Sequence, residues 1–166
     1  MRKRKPRANR PLGEEAAREK CLRLLGLRAR SAWELRDRLR RAGFSDDIIE
    51  SVLSSLAEAK LLDDEQFART WVAGRQASRG AGRHKLRWEL RRKGISNEII
   101  QRVVDEEIDD EAEVGRALAL AEGRLRGHAS APDERARLQR LLLGRGFEYA
   151  TVETVLRHLS HEREHS

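Results

Sequence analysis

Two stretches of this 166-residue chain carry residue types at spacings that could do chemistry. His161-Glu162-Arg163-Glu164-His165 has the H-E-x-x-H form, in which two histidines one helical turn apart hold zinc and the glutamate activates water. Its context argues against catalysis. Only Ser166 follows it, so no third ligand stands downstream, and the string lies in a stretch that reads as a polar tail over 161–166. Weak adventitious metal affinity, to which His158 adds a further imidazole, is the reading, and no metal site is assigned. The second stretch is basic. Arg83, Arg87 and Arg91 stand four residues apart and so share one helix face, with Lys85, Arg92 and Lys93 flanking it. Such a face can track phosphates or an acidic protein groove, or can simply be solvated. Trp88 sits in the middle of it, either exposed among arginines as a binding hot spot or packed between helical units.

No G-x-x-x-x-G-K-[ST] loop, G-x-S-x-G elbow or paired-cysteine site occurs, and no strand pattern offers a sheet edge for such loops. An enzyme is therefore not expected, and no cofactor is implied.

The basic stretch belongs to a unit that occurs three times. Residues 83–104, RHKLRWELRRKGISNEIIQRVV, align with AWELRDRLRRAGFSDDIIESVL 51 positions earlier and with RARLQRLLLGRGFEYATVETVL 52 positions later. Leu35 and Leu39, Leu86 and Leu90, and Leu138 and Leu142 put one apolar stripe on a short charged helix in each copy. Four residues on, Gly43, Gly94 and Gly146 suit a left-handed C-terminal cap. Ser45 and Ser96 are then expected as N-caps of a second helix carrying Ile48, Ile49, Val52, Leu53 and Leu56, or Ile99, Ile100, Val103 and Val104; the third copy lacks the serine. Ser31-x-x-Glu34 is a capping box that opens the first copy. A third helix follows, with Phe67 and Trp71 inward in copy one and Val114, Leu118 and Ala121 in copy two.

These patterns predict an all-α chain of elongated tandem repeats of three-helix modules with an N-terminal helix. The expected divisions are a basic leader over 1–12, the N-terminal helix over 13–30, repeats over 31–79, 80–127 and 128–160, the last truncated, and the tail over 161–166. At 39% hydrophobic, 38% charged and 4% aromatic the chain buries a thin core, which suits small units that cover one another's stripes.

The formal net charge is +7, but six of the 35 basic residues are Arg2, Lys3, Arg4, Lys5, Arg7 and Arg10; without them 29 face 28 acidic residues. On charge alone this leader is either a DNA-contacting arm or a solubilising tail. Elsewhere charge is segregated: residues 75–93 hold eight basic residues against Glu89 alone, and residues 105–113 hold seven acidic residues and no basic one. Cys21 is the single cysteine and is expected in the core. With no disulfide possible, no apolar segment behind the basic start and no run of roughly 20 apolar residues, a cytoplasmic protein is expected.

Read in order, Ser31-x-x-Glu34-Leu35-x-x-x-Leu39-x-x-x-Gly43-Phe44, then Leu62-Asp63-Asp64-x-x-Phe67-Ala68-x-x-Trp71-Val72-x-x-Arg75, then Glu89-Leu90-x-x-Lys93-Gly94-Ile95, the chain resembles the RecX family, regulators of the RecA recombinase. The resemblance runs from about Glu14 to Leu159 and leaves the leader and the histidine-bearing tail without counterpart. It implies tandem three-helix modules lying in the groove of a RecA filament on DNA and inhibiting its extension, and with it ATP hydrolysis, strand exchange and the co-protease activity behind the SOS response in DNA repair and recombination. The expected partners are the RecA filament and, weakly or through RecA, single- and double-stranded DNA, with the protein acting as a monomer. The expected contacts are Arg83, Lys85, Arg87, Trp88, Arg91, Arg92 and Lys93, with the leader assisting on DNA. An autonomous helical DNA-binding protein using the same helix is the alternative.

Overall fold

The computed structural model describes residues 13–125 and 133–164; among these it holds nine α-helices and no strand. The basic leader over 1–12 lies outside the described residues, as does most of the linker before the third copy. The chain divides into two compact units between Asp63 and Asp64.

The first unit is one three-helix module, α1 (Glu14–Leu27), α2 (Ala32–Arg41) and α3 (Asp46–Glu58). Its core joins Ala17 and Cys21 of α1 to Leu35 and Leu39 of α2 and to Ile49, Val52, Leu53 and Leu56 of α3. Each fully buried leucine contributes roughly 1.5–3 kcal/mol, enough for a small core to hold helices too short to persist alone. The capping box forms as expected: the Glu34 amide donates to Ser31 Oγ at 3.2 Å and the Ser31 amide to the Glu34 carboxylate at 3.3 Å. Ser45 occupies the N-cap position of α3 without a side-chain bond to it.

The second unit holds two modules: α4 (Asp64–Arg79), α5 (Arg83–Arg92) and α6 (Asn97–Glu107), then α7 (Asp110–Leu125), α8 (Glu134–Gly144) and α9 (Tyr149–Glu164). Each has its own core, Phe67, Ala68 and Val72 with Leu86, Leu90, Ile100, Val103 and Val104 in one, and Ala117 and Ala121 with Leu138, Leu142, Val152, Val155 and Leu156 in the other. The modules are thus one helix out of step with the expected division. The N-terminal helix is not separate but supplies Ala17 and Cys21 to the first core, and α4 packs forward onto α5 and α6. Ion pairs agree with this: Arg69 of α4 meets Glu106 and Glu107 of α6 at 2.6 Å each, and Arg102 of α6 meets Glu65 of α4 at 2.5 Å. The last module accordingly has three helices rather than two. Its α9 continues to Glu164, so residues 161–164, expected in the tail, are helical.

After α2, α5 and α8 the chain turns in the same way. Gly43, Gly94 and Gly146 take φ of 88°, 74° and 82°. In each case the residue after the glycine donates back to the second leucine of the stripe, Phe44 to Leu39, Ile95 to Leu90 and Phe147 to Leu142, all at 3.2 Å. This is a Schellman cap, and its apolar sixth residue drops into the module core.

The two modules of the second unit meet backbone to backbone. The Gly82 amide donates to the Arg145 carbonyl at 3.0 Å and the His84 amide to the Gly146 carbonyl at 3.0 Å. A Cβ on Gly82 would overlap the Gly146 oxygen and the Phe147 nitrogen, so no other residue fits without parting the modules. Gly74, on α4, has ordinary φ and open space around it. Adding the same methyl group should therefore act with opposite signs. Gly82→Ala is expected to lower the stability of the second unit by roughly 1–3 kcal/mol, and Gly74→Ala to raise it by about 0.5–1 kcal/mol, both read from urea unfolding followed by the helical circular-dichroism signal.

Candidate partner-binding surface

Helix α5, with Lys93 at its C-cap, carries every residue the sequence singles out for a partner outside the leader. It begins badly on its own terms. Gly82 has no side chain to cap it, and its first turn holds basic residues and no acidic one, against the positive end of the helix dipole. The third module supplies what is missing. Glu113 of α7, 1% exposed, accepts from the Arg83 amide at 2.9 Å. The Gly146 carbonyl takes the next amide, that of His84.

At about 100° per residue, positions four apart drift by about 40° around the helix, so Arg83, Arg87 and Arg91 do not share one environment. Arg83 is 16% exposed and turns into the joint between modules, reaching Asp110 at 2.5 Å, Glu113 at 3.4 Å and the Ile108 carbonyl. Arg87, 27% exposed, sits between Asp105 of α6 at 3.1 Å and Glu148 at the start of α9 at 2.7 Å. Arg91 is exposed and donates to the Asn97 side chain at 3.3 Å. The stripe climbs from the joint to the surface.

On the opposite flank, Glu89 is buried against α4. It accepts from Trp71 Nε1 at 2.9 Å and from Arg75 Nε at 2.8 Å, with a second bond to the same guanidinium. Trp71 stacks on Phe67 with ring centres 6.1 Å apart, and the Lys93 ammonium stands 4.9 Å from the Trp71 centroid. Phe67 and Trp71 are thus core and core edge, as their i, i+4 spacing implies. The Arg75 guanidinium holds the Glu89 carboxyl below its usual range; burial opposes the shift and Trp71 adds to it.

Between these flanks runs an outer ridge of Trp88, Arg91, Arg92 and Lys85. Trp88 is 50% exposed, and the Arg92 guanidinium lies over its ring at 4.8 Å from the centroid. It does not pack between modules. A large aromatic held flat by a cation, in water, on a rigid helix, is the arrangement from which interface hot spots are made. The leader residues Arg2, Lys3, Arg4, Lys5, Arg7 and Arg10 lie outside the described residues.

Sequence reasoning overlooked Glu113, Glu148, Asp105 and Gly82. In the sequence Gly80-Ala81-Gly82 reads only as a break, and the acidic block only as a run of sign opposite to its neighbour; the signal lay in the pairing of that block with the basic one. Cys21 is a buried core residue whose thiol burial pushes upward. Of the H-E-x-x-H string, His161 is exposed on α9, while the side chains of 162–165 lie outside the described residues. Among the described residues no group of three or more His, Cys, Asp or Glu is placed to hold a metal, and no helix is long and apolar enough to cross a membrane.

Comparison with known proteins gives three consecutive matches to family models: the first three-helix domain of RecX over residues 17–56, the second over 63–104 and the third over 111–156. These follow the grouping of the three cores. Similar proteins include regulatory protein RecX of Mycobacterium avium (strain 104), 42% identical over 164 residues covering 96% of this chain and 94% of that one. That of Mycobacterium leprae (strain Br4923) is 40% identical over 155 residues, covering 91% and 90%. A crystal structure of RecX from Lactobacillus salivarius superposes with a TM-score of 0.81 over 89% of this chain and 96% of that one at 23% identity. A second, of regulatory protein RecX, gives 0.75 over 86% and 70% at 22% identity. At those identities the likeness shows the fold.

Glu89 offers a test of the α4 flank. Because its carboxyl titrates lower in the folded state, the stability it contributes is complete above the unfolded glutamate value of about 4.3 and is lost as the pH falls through the lower folded value. Glu89→Gln should therefore cost roughly 1–3 kcal/mol at neutral pH, with the difference between parent and variant closing below about pH 4 in acid-unfolding curves.

Proposed function

The chain belongs to the RecX family of regulatory proteins, and on that footing we propose that it binds RecA nucleoprotein filaments and inhibits their extension, ATP hydrolysis, strand exchange and co-protease activity. It does so as a binding protein, without catalysis or cofactor. The contact surface is the outer ridge of α5, where Trp88 and Arg92 form the centre and Arg91, Lys85 and Lys93 the basic surround. The observation that supports this assignment is the half-exposed Trp88 under the Arg92 guanidinium. Arg83 and Arg87 serve the ridge from behind by holding α5 against the third module. The basic leader assists on the DNA beneath the filament, where phosphate attraction falls steeply with salt. Modules in series can engage successive protomers of a periodic filament, so several modest contacts reinforce one another.

The measurement is RecA ATPase on single-stranded DNA, titrated with the protein. Trp88→Ala, and separately Arg91→Glu with Arg92→Glu, are expected to raise the half-inhibitory concentration about tenfold or more, with the far-ultraviolet helical signal unchanged. Removal of residues 1–12 should weaken inhibition less, and mainly at lower salt, where phosphate attraction is strongest. A parent protein that leaves RecA turnover untouched while binding naked DNA would identify an autonomous DNA-binding protein instead. Ridge variants that inhibit as well as the parent would remove α5 from the contact.

A further inference from the structure

Arg87 occupies an unusual position for a basic residue beside a basic ridge. Its two terminal nitrogens are each taken by a carboxylate from a different element, Asp105 of α6 at 3.1 Å and Glu148 at the N-terminus of α9 at 2.7 Å. Neither is a core group: Asp105 is 51% and Glu148 42% exposed. Two oxygens at hydrogen-bond distance from one guanidinium, presented at the surface, are what a phosphodiester would offer to the same nitrogens. One turn along α5, Arg91 is exposed and donates to the neutral Asn97 amide, about 40° nearer the outer ridge. Arg83, one turn the other way, is different: besides the exposed Asp110 it meets the buried Glu113 and the Ile108 carbonyl, which tie it into the joint.

From this contrast we infer that Asp105 and Glu148 are guard carboxylates occupying a latent phosphate-binding site made by Arg87 and Arg91, and that they keep the affinity of α5 for naked nucleic acid low. The ligand class is the nucleic-acid backbone. A strand reaching the site must displace two fixed carboxylates, so Arg87 adds little to non-specific binding on free DNA. With both carboxylates replaced by amides, Arg87 becomes available beside Arg91 and the ridge. The guard makes the helix selective by opposing the unwanted ligand rather than by improving the wanted one. This does not rest on the RecA reading, because the site and its guard are tested with DNA alone.

The experiment measures binding of a fluorescent single-stranded oligonucleotide to the full chain as a function of salt, without any other protein. Asp105→Asn with Glu148→Gln is expected to bind roughly three- to tenfold tighter at 0.1 M salt, with the salt dependence steeper by about 0.7 in log–log slope for the one phosphate gained. Each single replacement should give a smaller gain. Two further variants separate a local guard from a general change of charge. Asp47→Asn with Glu58→Gln, exposed carboxylates of α3, makes the same change in net charge away from the site and should leave affinity within about twofold of the parent. Arg87→Gln added to the Asp105 and Glu148 replacements should return affinity to the parental value. Unchanged affinity in the doubly neutralised protein, an equal gain in the α3 control, or persistence of the gain without Arg87 would each overturn the inference. Because the exchanged carboxylates are exposed and their replacements isosteric, the helical signal should match the parent in every carboxylate variant.

Discussion

The second unit depends on how α5 is started. A helix whose N-cap is glycine and whose first turn reads Arg-His-Lys leaves its amides unpaired and places positive charge at the positive end of its dipole. Left to itself it would fray. The neighbouring module answers both deficits at once, with the Gly146 carbonyl and the Glu113 carboxylate on successive amides and the same carboxylate against the Arg83 guanidinium. Burying Glu113 is costly unless its charge is matched, and matching it needs the arginine that made the first turn unfavourable. Two unfavourable features become one favourable contact, available only when the modules are docked. Gly82 and Gly146 permit the close approach because neither brings a side chain into it.

This contact also explains the division of charge. A run of eight basic residues beside a run of seven acidic ones suggests two faces turned toward different ligands. Instead the runs pair in part with each other, through Arg83 with Asp110 and Glu113 and Arg87 with Asp105, while Glu106 and Glu107 go to Arg69 of α4. Exposed pairs of this kind contribute little singly. Their larger effect is on what remains: with Arg83 and Arg87 held, the accessible charge of α5 is concentrated on Arg91 and Arg92 around Trp88. The buried carboxylates Glu89 and Glu113 carry greater consequence, since removing the first takes the carboxylate from Arg75 and removing the second takes the acceptor from the Arg83 amide.

The fold was legible because its signals are local. Leucines four apart, a glycine four residues later and a serine with glutamate three residues on each act within one turn, and the helices, the three left-handed glycines and the Ser31 cap follow from them. What lies between elements was not legible. A repeat of 51 or 52 residues gives the period but no origin, so helix α4 could equally close one unit or open the next; only the burial of Phe67, Ala68 and Val72 against Leu86 and Leu90 decides. Likewise an arginine every fourth residue gives a stripe. Its slow rotation, which carries Arg83 into the joint and leaves Arg91 in water, becomes meaningful only once a neighbour stands beside it. The polar composition of 160–164 concealed the last turn of α9, whose inward residues end at Leu159.

At two positions on the outer side of the first repeated helix the three copies hold different pairs. In the first module, 51 residues before Trp88 and Arg92, these positions hold Asp37 and Arg41. There Asp37 pairs with Arg41 at 3.0 Å in an ordinary i, i+4 bridge. In the second module the same two places hold an indole under a guanidinium. In the third they hold Arg140 and Gly144, and a glycine has no side chain with which to form such a pair. Backbone, cap and core leucines are common to all three, so these positions stand alike on their helices while their chemistry differs: a neutralised bridge, an aromatic anchor and a cation. A scaffold that fixes position by repetition leaves identity to the ridge. An aspartate–arginine pair is largely satisfied in water and gains little from a partner, whereas a half-exposed indole gains on burial through its area and its flanking cation. On the proposed reading the anchor of the second unit lies on α5, and the third module serves it by holding that helix in place.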